Sequence, residues 1–164
     1  MGMTYDKAAI SRIKRQMKGI AKRSANVSPV WPRVGSFLSA AERRQFASEG
    51  SYLGTPWKPL KASSLASKAR RGFGGRKILV ETGAMRGTFT GRPMAVEQYG
   101  GNSAIFGSDN QIAKWQHFGT HRNGKQAIPP RTIMKVTPVL VRGVSDIIAA
   151  YILGKSASSI GSLI

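Results

Sequence analysis

The residues in this chain with the capacity for chemistry are few, and their spacing decides what they can do. His117 and His121 stand four apart, the spacing at which two imidazoles on one helix face share a zinc ion. Gly119 between them ends a helix, and no cysteine or nearby carboxylate offers a third ligand. The seven acids, Asp6, Glu42, Glu49, Glu81, Glu97, Asp109 and Asp146, are scattered. They form no pair that suggests a two-metal nuclease or a glycosidase dyad. No nucleophile elbow favours a Ser-His-Asp triad. Gly72, Gly74 and Gly75 make a glycine-rich loop, but it runs from helix to strand and lacks the Gly-Lys-Ser/Thr ending of a phosphate cradle. The expectation is therefore a protein with no catalytic residue, no metal site and no cofactor, and so no enzyme.

The charge is a stronger signal. Lys and Arg number 26 against 7 acidic residues, a formal net charge of +19. Such an excess attracts polyanions and exceeds what solubility calls for. Nucleic acid is the first partner it suggests, because neutralising phosphates releases counterions without reading bases. The absence of cysteine excludes disulfides, thiolate catalysis and thiolate metal sites. At 164 residues with 41% apolar content, the chain suits one soluble globular domain. The longest apolar run, residues 144–153, is too short and too interrupted to span a bilayer, and no signal peptide is visible.

The elements that position these residues follow from periodicity. Residues 4–23 read as a basic amphipathic helix, with Thr4 as cap and Ile10, Ile13, Met17 and Ile20 on one stripe. Arg12, Lys14, Arg15 and Lys18 lie on its outer face and are candidates for contact with DNA or a neighbouring subunit. Pro32 starts a second helix to about Phe46. The turn at Gly54-Thr55-Pro56 follows, with Trp57 and Leu60 as anchors to the core. Ser63 or Ser64 caps a short helix to about Arg71, and the glycine loop that follows reads as mobile. Arg70, Arg71, Arg76 and Lys77 make it a second candidate basic surface.

From Ile78 the period changes to that of strands. Residues 78–80 read as a short β run or a tight entry, and 86–90, 95–99 and 103–107 as extended, the last two joined by the Gly100-Gly101-Asn102 turn. Gln111 to Phe118 reads as a helix, and Gly119 as its C-cap. A turn at Asn123-Gly124 carries Arg122 and Lys125. The Pro129-Pro130 pair then makes the chain leave this loop stiff and extended. Residues 132–136 read as a last strand, and Pro138 starts a helix that Gly154 caps. The predicted fold class is α+β: a small antiparallel β-sheet packed with helices, a long basic N-terminal helical arm and a C-terminal helix. It divides into an arm over 1–50, a core over 51–154 and a flexible Ser/Gly-rich tail over 155–164.

Three phrases stand in order: Gly54-Thr55-Pro56-Trp57-Lys58-Pro59-Leu60, then Ile78-Leu79-Val80-Glu81-Thr82-Gly83-Ala84-Met85-Arg86, then Trp115-Gln116-His117-Phe118-Gly119-Thr120 with Ile128-Pro129-Pro130-Arg131. The last resembles the "hQFG … IPxR" signature of the phage virion morphogenesis proteins, small tail-completion and head–tail joining proteins of tailed bacteriophages. His117 departs from it where a Gln is common, and the 50-residue arm matches only in being helical. The resemblance implies a structural virion protein, assembled in the host cytoplasm and resident at the head–tail junction. There it would form a homo-oligomeric ring, sixfold or twelvefold, around the passing double-stranded genome, against connector, terminator or tail-tube neighbours and with no membrane. Trp57, Leu60, Thr82, Gly83, Trp115, Phe118, Gly119, Pro129, Pro130 and Arg131 are its core or interface anchors. The alternative reading is a non-sequence-specific nucleic-acid-binding module. Its expected mark, aromatics spread over one sheet face, is not visible, since the tryptophans sit in turn or helix phrases.

Overall fold

A computed structural model describes residues 6–155. The fold is α+β, as the periodicity predicts. Helix α1 spans Lys7–Ala25, α2 Trp31–Ala47, α3 Ala62–Arg70, α4 Ala84–Thr90, α5 Gln111–Phe118 and α6 Pro138–Leu153. Strands β1 (Val96–Tyr99) and β2 (Ala104–Gly107) form one antiparallel hairpin; β3 (Thr120–Arg122) and β4 (Lys125–Ile128) form another. The β part is thus two separate two-stranded ribbons, not one sheet.

Helix α2 is the spine. Val34, Ala41 and Phe46 are buried along it, and so are Ser39, Glu42 and Gln45. At one end Val27, Val30, Trp31 and Val34 meet Ile147 of α6, with Phe106 of the first hairpin packed against them. At the other, Phe46, Trp57, Phe89, Ala113 and Ile133 form a second cluster, in which the Phe46 and Trp57 rings meet edge to face at 5.3 Å. Gly143 lets α6 cross α2 closely, since a Cβ there would lie 2.3 Å from the Phe37 ring. The C-terminal helix begins at Pro138 behind a Thr137 cap and ends at Gly154 in the left-handed conformation, as its flanking residues dictate.

Helix α1 is different, because it has no buried residue. Its last turn is tied to α6 where the Arg23 Nε donates to the Ile152 carbonyl at 2.8 Å. The stripe of Ile10, Ile13 and Met17 stays exposed, at 40%, 52% and 65%. The cap is the Asp6 carboxylate, which accepts from the Ala8 and Ala9 amides. Thr4, expected in that role, lies outside the described residues, as does the tail from 156 onward.

Three local expectations are corrected, and residues 78–80 take the tight entry rather than the β run. Residues 86–90 are helical in α4, where the Thr88 and Thr90 hydroxyls donate to the Met85 and Arg86 carbonyls one turn back and Phe89 is buried against Phe46. Residues 78–80 form a turn, with Leu79 at φ 60° and the Ile78 amide donating to Glu49 Oε1 at 2.6 Å. Helix α3 starts after Lys61 with no side-chain cap, so neither Ser63 nor Ser64 serves. Residues 132–136 are not a strand, for a reason that the site makes plain.

Candidate functional site

The first and third phrases converge on residues 131–133, and Ile78, Leu79, Val80 and Met85 of the second pack against the cluster that contains Ile133. Asn110 caps α5 by accepting the Ala113 amide at 3.1 Å, which sets the helix that carries Gln116 and His117. Gly119 then turns the chain at φ +74°, where a Cβ would lie 2.7 Å from the Ile128 carbonyl oxygen and 3.0 Å from the Pro130 nitrogen. Only glycine fits so close an approach in that conformation. The β3–β4 hairpin follows, turning at Asn123 and Gly124, both of positive φ, and Pro129-Pro130 delivers Arg131 back beneath α5.

Arg131 is 4% exposed and holds three pieces of chain at once. Its Nε donates to the Lys58 carbonyl at 3.0 Å, its Nη2 to the Pro59 carbonyl at 3.4 Å and its Nη1 to Gln116 Oε1 at 3.0 Å. Burial lowers the pKa of this guanidinium below its ordinary value. The next carbonyl, Thr132, accepts from Trp57 Nε1 at 2.8 Å and from Gln45 Nε2 at 3.1 Å. The Ile133 amide donates to His117 Nδ1 at 3.2 Å. Side chains therefore satisfy the backbone groups that a neighbouring strand would otherwise pair, and this segment needs no sheet.

His117 accepts at Nδ1 and so carries its proton on Nε2 when neutral. Burial pushes its pKa below the usual histidine value. His121 sits on β3, exposed, so the two imidazoles occupy different elements. Among the described residues no group of three His, Cys, Asp or Glu side chains is arranged to hold a metal.

The anchors divide by location. Trp57 and Arg131 are buried, while Leu60 and Pro129 are half-buried beside an open groove. Gly83 adopts φ 90° at the start of α4, and the Thr82 hydroxyl accepts from the Ala84 amide at 3.3 Å. Pro130 is exposed. Trp115 and Phe118 lie outside the core, at 47% and 70% exposure, and share with Ile112 (55%) one outer face of α5.

The basic candidates divide too. Arg12, Lys14, Arg15 and Lys18 are exposed along α1, and Arg122 and Lys125 are exposed at the β3–β4 turn. Arg70 is also exposed. The glycine loop, by contrast, is pinned rather than loose. Arg71 pairs with Glu81 at 3.0 Å, the Arg76 guanidinium donates to the Glu81 carbonyl at 2.8 Å, and Lys77 Nζ donates to the Ala47 carbonyl. Beneath it lies Lys68, only 5% exposed, whose Nζ donates to the Arg76 and Lys77 carbonyls at 2.6 and 2.7 Å.

Lys68, Gln45, Glu42 and Gln116 are residues that sequence reasoning passed over. The available signal was in α2, where Glu42 and Gln45 fall on the same face as Leu38, Ala41 and Phe46. Glu42 is 3% exposed, its Oε2 has no partner among the described residues, and burial pushes its pKa up to about 8.

The fold and this clamp define a class: a small α+β scaffold in which signature residues from separate loops lock those loops together. The chain belongs to the phage virion morphogenesis family, whose model matches residues 8–153. That membership gives it a role in building a phage particle. No curated protein and no solved structure matches it. No helix among the described residues is long and apolar enough to cross a membrane.

Proposed function

We propose that the chain is a non-catalytic ring component of the head–tail junction, a neck connector or tail-completion protein, and that the ring encircles the passing double-stranded DNA. The observation that carries this reading is the pair of unpartnered apolar helix faces. Ile10, Ile13 and Met17 on α1 and Ile112, Trp115 and Phe118 on α5 leave one subunit with two different sticky surfaces. Exposed apolar patches of this kind mark interaction sites. Two different patches on one chain favour head-to-tail contacts, which close into rings, here of six or twelve copies.

Helix α1 also supports the proposal on energetic grounds. Most helical stability in proteins comes from tertiary packing, and α1 has no buried residue among the described residues. Docking on a neighbouring subunit would supply the missing burial. Its exposed cations Arg12, Lys14, Arg15 and Lys18, together with Arg122 and Lys125, would then face DNA by charge alone. Neighbours in the neck or tail tube would cap the ring.

Cryo-electron microscopy of assembled particles tests the proposal. The expected result is a ring of this protein between capsid and tail, with α1 of each copy against the next. Absence from particles, together with steeply salt-dependent binding of duplex by a free monomer, would replace it with the non-sequence-specific nucleic-acid-binding module.

A further inference from the structure

The groove beside Arg131 has a composition that the clamp alone does not explain. It encloses about 570 Å³. Leu60, Leu79, Met85, Ile112 and Ile128 give it apolar walls, and Lys68 and Arg131 are among its lining residues. Both cations are more than nine-tenths buried. Burying a charge is costly unless an opposite charge or a full set of hydrogen bonds compensates it. Their partners here are carbonyls and one amide oxygen, with no carboxylate among them. An ammonium has three donors and a guanidinium five. Lys68 uses two of its three and Arg131 three of its five among the described residues.

We propose that this groove is a docking site for an extended, acidic and apolar peptide segment of a different protein of the particle. The segment's apolar side chains fill the walls, and a carboxylate reaches the donors that Lys68 and Arg131 leave unused. The inference rests on the reading of the chain as an assembly component and adds the chemistry of one neighbour.

Charge decides between occupants. Among the described residues a second copy offers no suitable segment, because each acid there is committed or placed elsewhere. Glu42 is buried in α2, Glu49 accepts the Ile78 amide, Glu81 pairs with Arg71 and Glu97 with Arg92. Asp6 caps α1, Asp146 lies in α6, and Asp109 is in the turn before α5. Residues 1–5 and 156–164 contain no Asp or Glu. Duplex DNA needs an open basic surface, whereas this groove intersperses its cations with aliphatic side chains and the Glu81 carboxylate. A peptide carrying both aliphatic and carboxylate groups matches both features.

The test uses the full chain, isotope-labelled for NMR, at about 150 mM salt to screen diffuse attraction. The probes are a synthetic peptide alternating aspartate with valine and leucine, its twin with asparagine for aspartate, and a short duplex. The expected result is shifts confined to Leu60, Leu79, Met85 and Ile112 for the acidic peptide, with the twin at least about tenfold weaker. Ala84→Glu places a carboxylate at the groove wall on an exposed helix position and should abolish binding. Ala8→Glu makes the same charge change on exposed α1 and should leave binding intact. Shifts spread over α1 and the β3–β4 turn, equal losses in both variants, equal affinity of the twin, or no binding would each overturn the proposal. Displacement of the peptide by the duplex, with shifts in the same groove, would assign it to nucleic acid. Ring formation by the same variants, read by particle mass, is independent. A ring without peptide binding removes this inference alone, and peptide binding without a ring removes the ring reading alone.

Discussion

Arg131 and Gln116 are joined at two points: the Arg131 amide donates to the Gln116 carbonyl at 2.7 Å, and the Arg131 guanidinium donates to the Gln116 side-chain oxygen at 3.0 Å. A residue at the end of the IPxR phrase is thereby locked to the helix of the QHFG phrase. Two more guanidinium donors reach the Lys58 and Pro59 carbonyls in the first phrase. One side chain links segments more than seventy residues apart in sequence.

Replacing that fork should be expensive even when the charge is kept. An ammonium cannot reproduce three planar, divergent donors, so Arg131→Lys leaves buried carbonyls unpaired. The expected loss is about 2–3 kcal/mol of folding stability, measured as a lower urea midpoint with unchanged slope. A variant as stable as the wild type would show that solvent replaces the fork at no cost.

Gly119→Ala should be among the most damaging small substitutions. The added methyl would sit 2.7 Å from the Ile128 oxygen at a φ of +74°, so both contact and conformation oppose it. A loss of about 2–4 kcal/mol is expected, from strain and overpacking together. Gly124→Ala, at φ +70° with nothing within 4 Å, isolates the conformational part and should cost less. Thermal melts of the two variants make the comparison.

Glu42 predicts a pH dependence with a definite sign. Burial pushes its carboxyl from 4.5 up to about 8, so between those values the folded chain keeps a proton that the unfolded chain has released. Stability is then full at low pH and falls as pH rises through this window, at up to about 1.4 kcal/mol per pH unit. Glu42→Gln cannot ionise and should abolish the slope, leaving the variant more stable than wild type above about pH 8. Denaturation curves across the window that differ by a constant amount would contradict this.

His117 acts in the opposite direction. Its lowered pKa means that the unfolded chain takes up a proton before the folded one as pH falls below the ordinary histidine value. Stability is therefore lost on acidification, as the Nδ1 acceptor for the Ile133 amide becomes a donor. His117→Gln retains an acceptor without a titrating proton. It should match wild type near neutrality and lack the acid-side loss, as followed by fluorescence melts from neutral to mildly acidic pH.

The exposed stripes separate assembly from folding. Ile13→Asp and Phe118→Asp alter side chains that are 52% and 70% exposed, so the free subunit's melting temperature should move little. Incorporation into particles should fall by an order of magnitude or more if these faces are subunit contacts. Normal incorporation of both variants would mean that the interfaces lie elsewhere.

Much of the architecture was legible without coordinates because its signals are local. The apolar periods of α1, α2 and α6, the Pro138 start and Gly154 stop, and the turns at Gly100–Asn102 and Asn123-Gly124 each act over a few residues. The family resemblance singled out the first and third phrases, and only the coordinates show that they meet at Arg131. Residues 86–90 and 132–136 carry β-favouring Thr, Phe, Ile and Val, yet neither forms a strand. In the first, burial of Phe89 against α2 and threonine hydroxyls turned onto their own helix favour α4. In the second, Trp57, Gln45 and His117 take the hydrogen bonds that a strand would offer to a neighbour. The burial of Glu42 and Lys68 and the pinning of the glycine loop through Glu81 and the Ala47 carbonyl were likewise set by tertiary packing. Sequence determined where the chain can bend and which faces are apolar, since propensity and periodicity are near-neighbour effects. Tertiary structure alone decided which charges are buried and which backbone groups they satisfy, because desolvation depends on everything that surrounds a group in space.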